Sequence, residues 1–135
     1  MTVFYLYGDD TGATHLTHLE LTVEETAVGT VGSLHGIPAI SVSVMKFLNG
    51  KPDLGLHASP RRQCFVLLDG VLEVITSLGH TEHLGAGDIF IADDVGTQGH
   101  ISRDVGDKQL TLVVMPLDPN WEVPTSVSTS AGEQK

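Results

Sequence analysis

Positive charge, sulfur and aromatic rings are all scarce in this chain of 135 residues. A single cysteine, Cys64, excludes an intramolecular disulfide framework and a cysteine-rich metal site. Set inside the apolar run CFVLL, it reads as a packing residue. Lys and Arg together number 7 against 17 Asp and Glu, a formal net charge of −10. A phosphate backbone would be repelled by that balance, so no nucleic-acid partner is expected. No run approaches the roughly 18 apolar residues of a membrane-spanning helix, and MTVFYLYGDD lacks the basic region and long apolar run of a secretory leader. The expectation is a soluble cytoplasmic protein with no membrane partner. An apolar period of 3.6 residues is nowhere sustained over three turns, which removes long amphipathic helices from consideration.

What the chain does contain is short β-prone runs separated by glycine-rich turns about every 8 to 12 residues, the spacing of an all-β sandwich or barrel. Val3 to Tyr7, His15 to Leu21, Pro38 to Phe47, CFVLL, VLEV, DIFIA and Leu110 to Leu117 read as strands. Asp69-Gly70, between LL and VLEV, suits a type I′ hairpin. Further turns are expected at Gly79 and at Gly85-Ala86-Gly87-Asp88. The segment from Thr22 to Pro38, poor in apolar residues, reads as a connection that could act as a mobile lid. Residues 1–124 form one domain on this reading, and 125–135, rich in Ser and Thr, form a disordered tail. Trp121 would anchor that tail to the barrel.

Polar chemistry concentrates between Gly55 and Arg103. One cluster, His57, Ser59, Arg61, Arg62 and Gln63, runs into CFVLL; a second, Asp93, Asp94, Gln98, His100 and Arg103, follows DIFIA. Alternate residues of an extended segment share a face, which groups His57, Ser59, Arg61 and Gln63. The chain has three arginines, Arg61, Arg62 and Arg103, and all lie in these clusters. Such placement fits either a planar fork for an anionic substrate or ion pairs with Asp93, Asp94 or Asp104 that brace the loops. His15, His18, His35, His80 and His83 read as surface or turn residues.

The same stretch resembles the paired motifs of the cupins. Gly55, His57-Ala58-Ser59, Gln63 and Gly70 follow the first motif, with Ser59 standing where the family has its second histidine and Gln63 where it has glutamate. Gly87 to His100 resembles the second motif, and the strings HxxPRRQ and GxxGHxSR resemble a subgroup of small single-domain cupins. The resemblance implies an all-β double-stranded β-helix, or jelly-roll, barrel. It also implies His100 brought across the barrel toward His57, and a homodimer made through the N-terminal strands.

Several functions are compatible with such a site. In the first, an isomerase, lyase or dehydratase, His57 or His100 moves a proton with Arg61 and Asp94 as further catalytic groups. Ser59, Arg62 and Arg103 would bind a small, anionic substrate. A divalent ion, zinc, iron, manganese or nickel, would sit on His57, Gln63 and His100. The second is an iron-dependent oxygenase, short of the usual motif carboxylate. The third is a non-catalytic small-molecule-binding module. A Ser-His-Asp hydrolase would lack both G-x-S-x-G and an oxyanion-hole signature.

Overall fold

The structure, a computed structural model, describes residues 1–124; the expected tail at 125–135 lies outside the described residues. Every regular element among the described residues is a strand. The larger sheet takes β1 (Val3–Gly8), β2 (Thr14–Leu19), β5 (Ser43–Lys46), β7 (Gln63–Asp69), β10 (Ile89–Asp93) and β12 (Thr111–Pro116) in the order β2-β1-β10-β7-β12-β5. The smaller takes β6 (Asp53–His57), β8 (Leu72–Thr76), β9 (Thr81–Leu84) and β11 (His100–Asp104) in the order β6-β11-β8-β9. All pairings are antiparallel except β1 with β10.

The alternation of the strands builds the core. Phe4 and Leu6 of β1, Leu67 of β7, Phe90 and Ala92 of β10, and Leu112 and Val114 of β12 meet Leu72, Val74 and Leu84 of the smaller sheet in one buried cluster. The opposite face of the larger sheet is buried as well. Val3, Tyr5, Cys64 and Ile91 are covered there by Leu34, Ile37, Leu117 and Trp121. A strand covered on both faces needs apolar residues at both parities, which is why β1 reads VFYLYG without alternation. Because β2 and β10 occupy both edges of β1, this strand has no free edge to offer a partner. Trp121 packs on the outer cluster and its carbonyl accepts from Arg62 Nη1 at 2.5 Å, while the tail that it would anchor lies outside the described residues.

Three local expectations are corrected. Asp69-Gly70 is not a hairpin turn. It carries the chain from the larger sheet, where β7 lies between β10 and β12, to the smaller, where β8 lies between β11 and β9. Gly70 alone has positive φ there, +89°, and a Cβ on it would lie 2.9 Å from Leu110 Cα, so glycine is required by the crossing. The low-hydrophobicity connection contains a hairpin, β3 (Thr22–Thr26) with β4 (Gly29–Ser33). Its β3 is exposed along its whole length, so burial never imprinted an apolar alternation on it. The run from Pro38 to Phe47 yields only the short β5, preceded by a single bridge from Ala39 to Leu117.

Candidate functional site

A cavity of about 380 Å³ lies between the sheets. Its walls are graded by strand register. At one level β7 contributes Gln63, and β6 and β11 contribute His57 and His100, which are register partners. One alternation further along, Phe65 stands beside Phe90 and Val114, with Ser102 and Leu54 on the facing sheet. Beyond them come Leu112, Leu110, Leu72 and Phe47. The result is one polar layer above two that are apolar but for Ser102. β5 and β6 are edge strands of their sheets, and their lining residues Met45 and Leu54 are 42% and 53% exposed, so the cavity opens between those edges.

The two imidazoles face each other with ring centroids 4.6 Å apart and planes at 47°. Each has its Nδ1 fixed. His57 Nδ1 lies 2.7 Å from the Gly55 carbonyl, and because a carbonyl only accepts, the proton sits on Nδ1. His100 Nδ1 lies 2.6 Å from Asp94 Oδ2. Asp94 is completely buried and its Oδ1 accepts the Ser59 backbone N–H at 3.2 Å. Burial would push that carboxyl up, but the hydrogen bonds from His100 and Ser59 outweigh burial and hold it below the usual carboxylate range. An ionised Asp94 therefore holds the His100 proton on Nδ1. Both Nε2 lone pairs are left without a protein partner among the described residues.

Backbone geometry makes this juxtaposition possible. Gly99, at φ +86°, passes so close to His57 that a Cβ on it would lie 2.3 Å from the His57 carbonyl carbon. Its own carbonyl accepts from Thr14 Oγ1 at 2.9 Å. In the sequence Gly99 stands only as the glycine directly before His100 in the second string, with no sign of this close approach.

The three arginines separate. Arg61 lines the cavity and also borders a shallower outer groove with Arg62 and Asp93. It is exposed and has no hydrogen bond or ion pair among the described residues. Arg62, of the opposite parity, points outward: its Nε and Nη2 grip Asp93 at 2.9 and 3.0 Å, and its Nη1 holds the carbonyls of Asp118 and Trp121. Tyr5 donates to the same carboxylate at 2.7 Å, and burial followed by that bond pushes its phenol far up. Arg103, three residues from His100, likewise faces away and pairs with Glu73 at 2.6 Å, whose carboxyl this contact lowers. Arg62 and Arg103 are thus bracing residues, and neither borders the cavity as the substrate-binding expectation required. Ser59 and Gln63 do line it; Asp94 lies behind His100, where it positions that ring without touching the cavity.

The donor set at the polar layer bears on whether a divalent ion could reside there. It comprises two neutral imidazole nitrogens and the neutral Gln63 amide; the nearby carboxylate, Asp94, is committed to His100 Nδ1 and Ser59. Among the described residues no group of three or more His, Cys, Asp or Glu converges. Two imidazoles and a weakly donating amide oxygen fall short of the three or four strong nitrogen, sulfur or carboxylate donors that hold a resident dication, so these residues do not fit one. His15, His80 and His83 pair with Asp9, Glu82 and Glu73 at the surface, away from the cavity.

No family model and no curated protein matches the chain. Solved structures similar to it include protein NMB1881 from Neisseria meningitidis, at 15% identity over 65% of this chain and 89% of that one, TM-score 0.41. The Cnp3 cupin domain of Schizosaccharomyces pombe is similar at 12% identity over 78% and 74%, TM-score 0.41. The EutQ protein of Clostridium difficile is similar at 10% identity over 76% and 98%, TM-score 0.36. The chain's own geometry gives the architecture: two facing sheets, the larger one holding the parallel β1–β10 pairing, enclose the cavity where His57 meets His100 and make this a jelly-roll barrel.

Proposed function

We propose that the cavity is the active site of a small-molecule enzyme of the isomerase, lyase or dehydratase type, in which His57 and His100 move a proton without a metal. The observation that carries this reading is the buried 2.6 Å contact from His100 Nδ1 to Asp94, placed beside His57 at the polar end of a cavity whose remaining walls are largely apolar. An imidazole held by a carboxylate at Nδ1 is a base at Nε2, and the carboxylate stabilises the imidazolium that forms. Two such lone pairs at this separation can divide the work, one ring taking a proton from substrate carbon and the other returning one. Apolar walls exclude water, which strengthens each charge interaction formed at the polar layer.

The test has two parts. Nitrogen-15 NMR should find both rings protonated at Nδ1 when neutral; an Nε2-protonated His100 would remove its role as base. Incubation with a panel of carbonyl acids in heavy water should show deuterium entering the carbon next to the carbonyl. That incorporation should fall by a factor of about 10² or more in His57→Gln and in His100→Gln. Incorporation unchanged in the double variant would sink the proposal and favour a binding module.

A further inference from the structure

We infer that the cavity takes an amphiphilic monocarboxylate, its carboxylate held by Arg61 and its hydrocarbon body lying between the phenylalanine and leucine layers. The inference rests on the cavity being the working site and names the class of molecule it accepts. Three observations combine. The first is grading: His57, Gln63 and His100 occupy one level, and Phe65, Phe90, Leu110 and Leu112 line the levels beyond it. A uniformly polar ligand would strand its hydroxyls against those walls, where each unmade hydrogen bond is costly.

The second is Arg61. Arg62 and Arg103 are saturated by carboxylates, whereas Arg61 lines the cavity with no anionic partner among the described residues. In a chain of net charge −10, an unneutralised guanidinium beside an apolar cavity is a local reversal of sign that would attract an anion. Its planar fork matches a carboxylate. Each imidazole has its Nδ1 committed to the protein, so Arg61 is the group of this lining that can balance a negative charge on the ligand.

The third is size and entry. At interior packing density, about 380 Å³ holds roughly ten to fifteen non-hydrogen atoms. The opening between β5 and β6 is bordered by Met45 and Leu54, an apolar slot through which a hydrocarbon body passes without loss. Arg61 lines the same cavity as His57 and His100, so an acid seated on it enters the space that the two imidazoles share, as proton transfer requires.

The experiment titrates the full chain by calorimetry with 4-phenylbutanoate, its neutral primary amide and acetate. The acid should bind about threefold or more tightly than the amide, the effect of an ion pair at an exposed arginine. Acetate should be weaker still, by about fourfold for each methylene group it lacks. Arg61→Ala should erase the preference for acid over amide, Arg61→Lys should keep part of it, and Arg103→Ala should leave it intact. Equal affinity for acid and amide, an unchanged preference in Arg61→Ala, or no binding of any of the three at millimolar concentration would each overturn the inference. Deuterium incorporation is scored separately: acid-selective binding without proton exchange would refute the acid–base reading and leave the ligand class standing, and exchange on neutral compounds alone would do the reverse.

Discussion

Asp94→Asn isolates the contact on which the chemistry depends. The native carboxylate accepts from two donors, His100 Nδ1 at 2.6 Å and the Ser59 N–H at 3.2 Å. An amide has one oxygen and one NH₂. Turning its oxygen to His100 would set NH₂ against the Ser59 N–H and orphan a buried donor, at about 1–3 kcal/mol. Turning its oxygen to Ser59 satisfies both sides, provided that His100 Nδ1 becomes the acceptor and its proton moves to Nε2. The second arrangement is expected to win. Stability then falls only by the difference between a charged and a neutral hydrogen bond, about 1–2 kcal/mol, while the lone pair at the cavity is lost and proton exchange drops by about 10² or more. Urea denaturation, nitrogen-15 NMR of His100 and the heavy-water assay read the three effects separately. The pH dependence adds a sign. Asp94 is held below its ordinary value, so its contribution is fully present above the unfolded aspartate value of about 3.9 and is lost as pH falls through the lower folded value. The gap between wild type and Asp94→Asn should therefore close with acidification in that window. A variant with native stability, an unmoved His100 proton and undiminished exchange would refute the reasoning.

Gly99→Ala should lower the denaturation midpoint steeply or abolish soluble expression, because its Cβ would overlap the His57 backbone; a variant within about 0.5 kcal/mol of wild type would show that β11 does not need that approach. Arg62→Ala, which leaves the partly buried Asp93 without its cation, should cost about 2–3 kcal/mol and raise Trp121 solvent quenching, whereas Arg103→Ala at an exposed pair should leave the urea midpoint unmoved. Cys64, buried and with its thiol pushed up to about 11 by that burial, should resist iodoacetamide at pH 8 until the protein unfolds; alkylation at the rate of a free thiol would contradict its placement. Metal analysis of protein purified without chelator should find divalent ion well below one equivalent, and a stoichiometric ion lost in His57→Ala/His100→Ala would overturn the donor-set argument.

Features governed by neighbouring residues were legible in the sequence. The all-β class follows from the spacing of β-prone runs and turns, and the two-residue period alone grouped His57, Ser59, Arg61 and Gln63. That same period already separates Arg62 from Gln63 and Arg103 from His100, so the outward path of both arginines was implicit in their numbering. The cupin resemblance supplied what periodicity lacks, the pairing of His57 with a residue 43 positions away, which the register of β6 with β11 bears out. Other features were settled only by the folded chain. Asp69-Gly70 has hairpin chemistry, yet which sheet the next strand joins depends on what β11 and β9 offer as edges, and no local dipeptide encodes that. The β3–β4 hairpin left no apolar alternation because β3 is exposed throughout and no residue of β4 is fully buried. The division of the arginines into one unpaired and two saturated depends on Asp93 and Glu73, carboxylates 31 and 30 residues away from their partners. Strand periodicity is set within a few bonds, whereas the partner of a buried or bracing charge is set by topology, and only the closed barrel brings Asp94 behind His100 and leaves Arg61 beside the cavity.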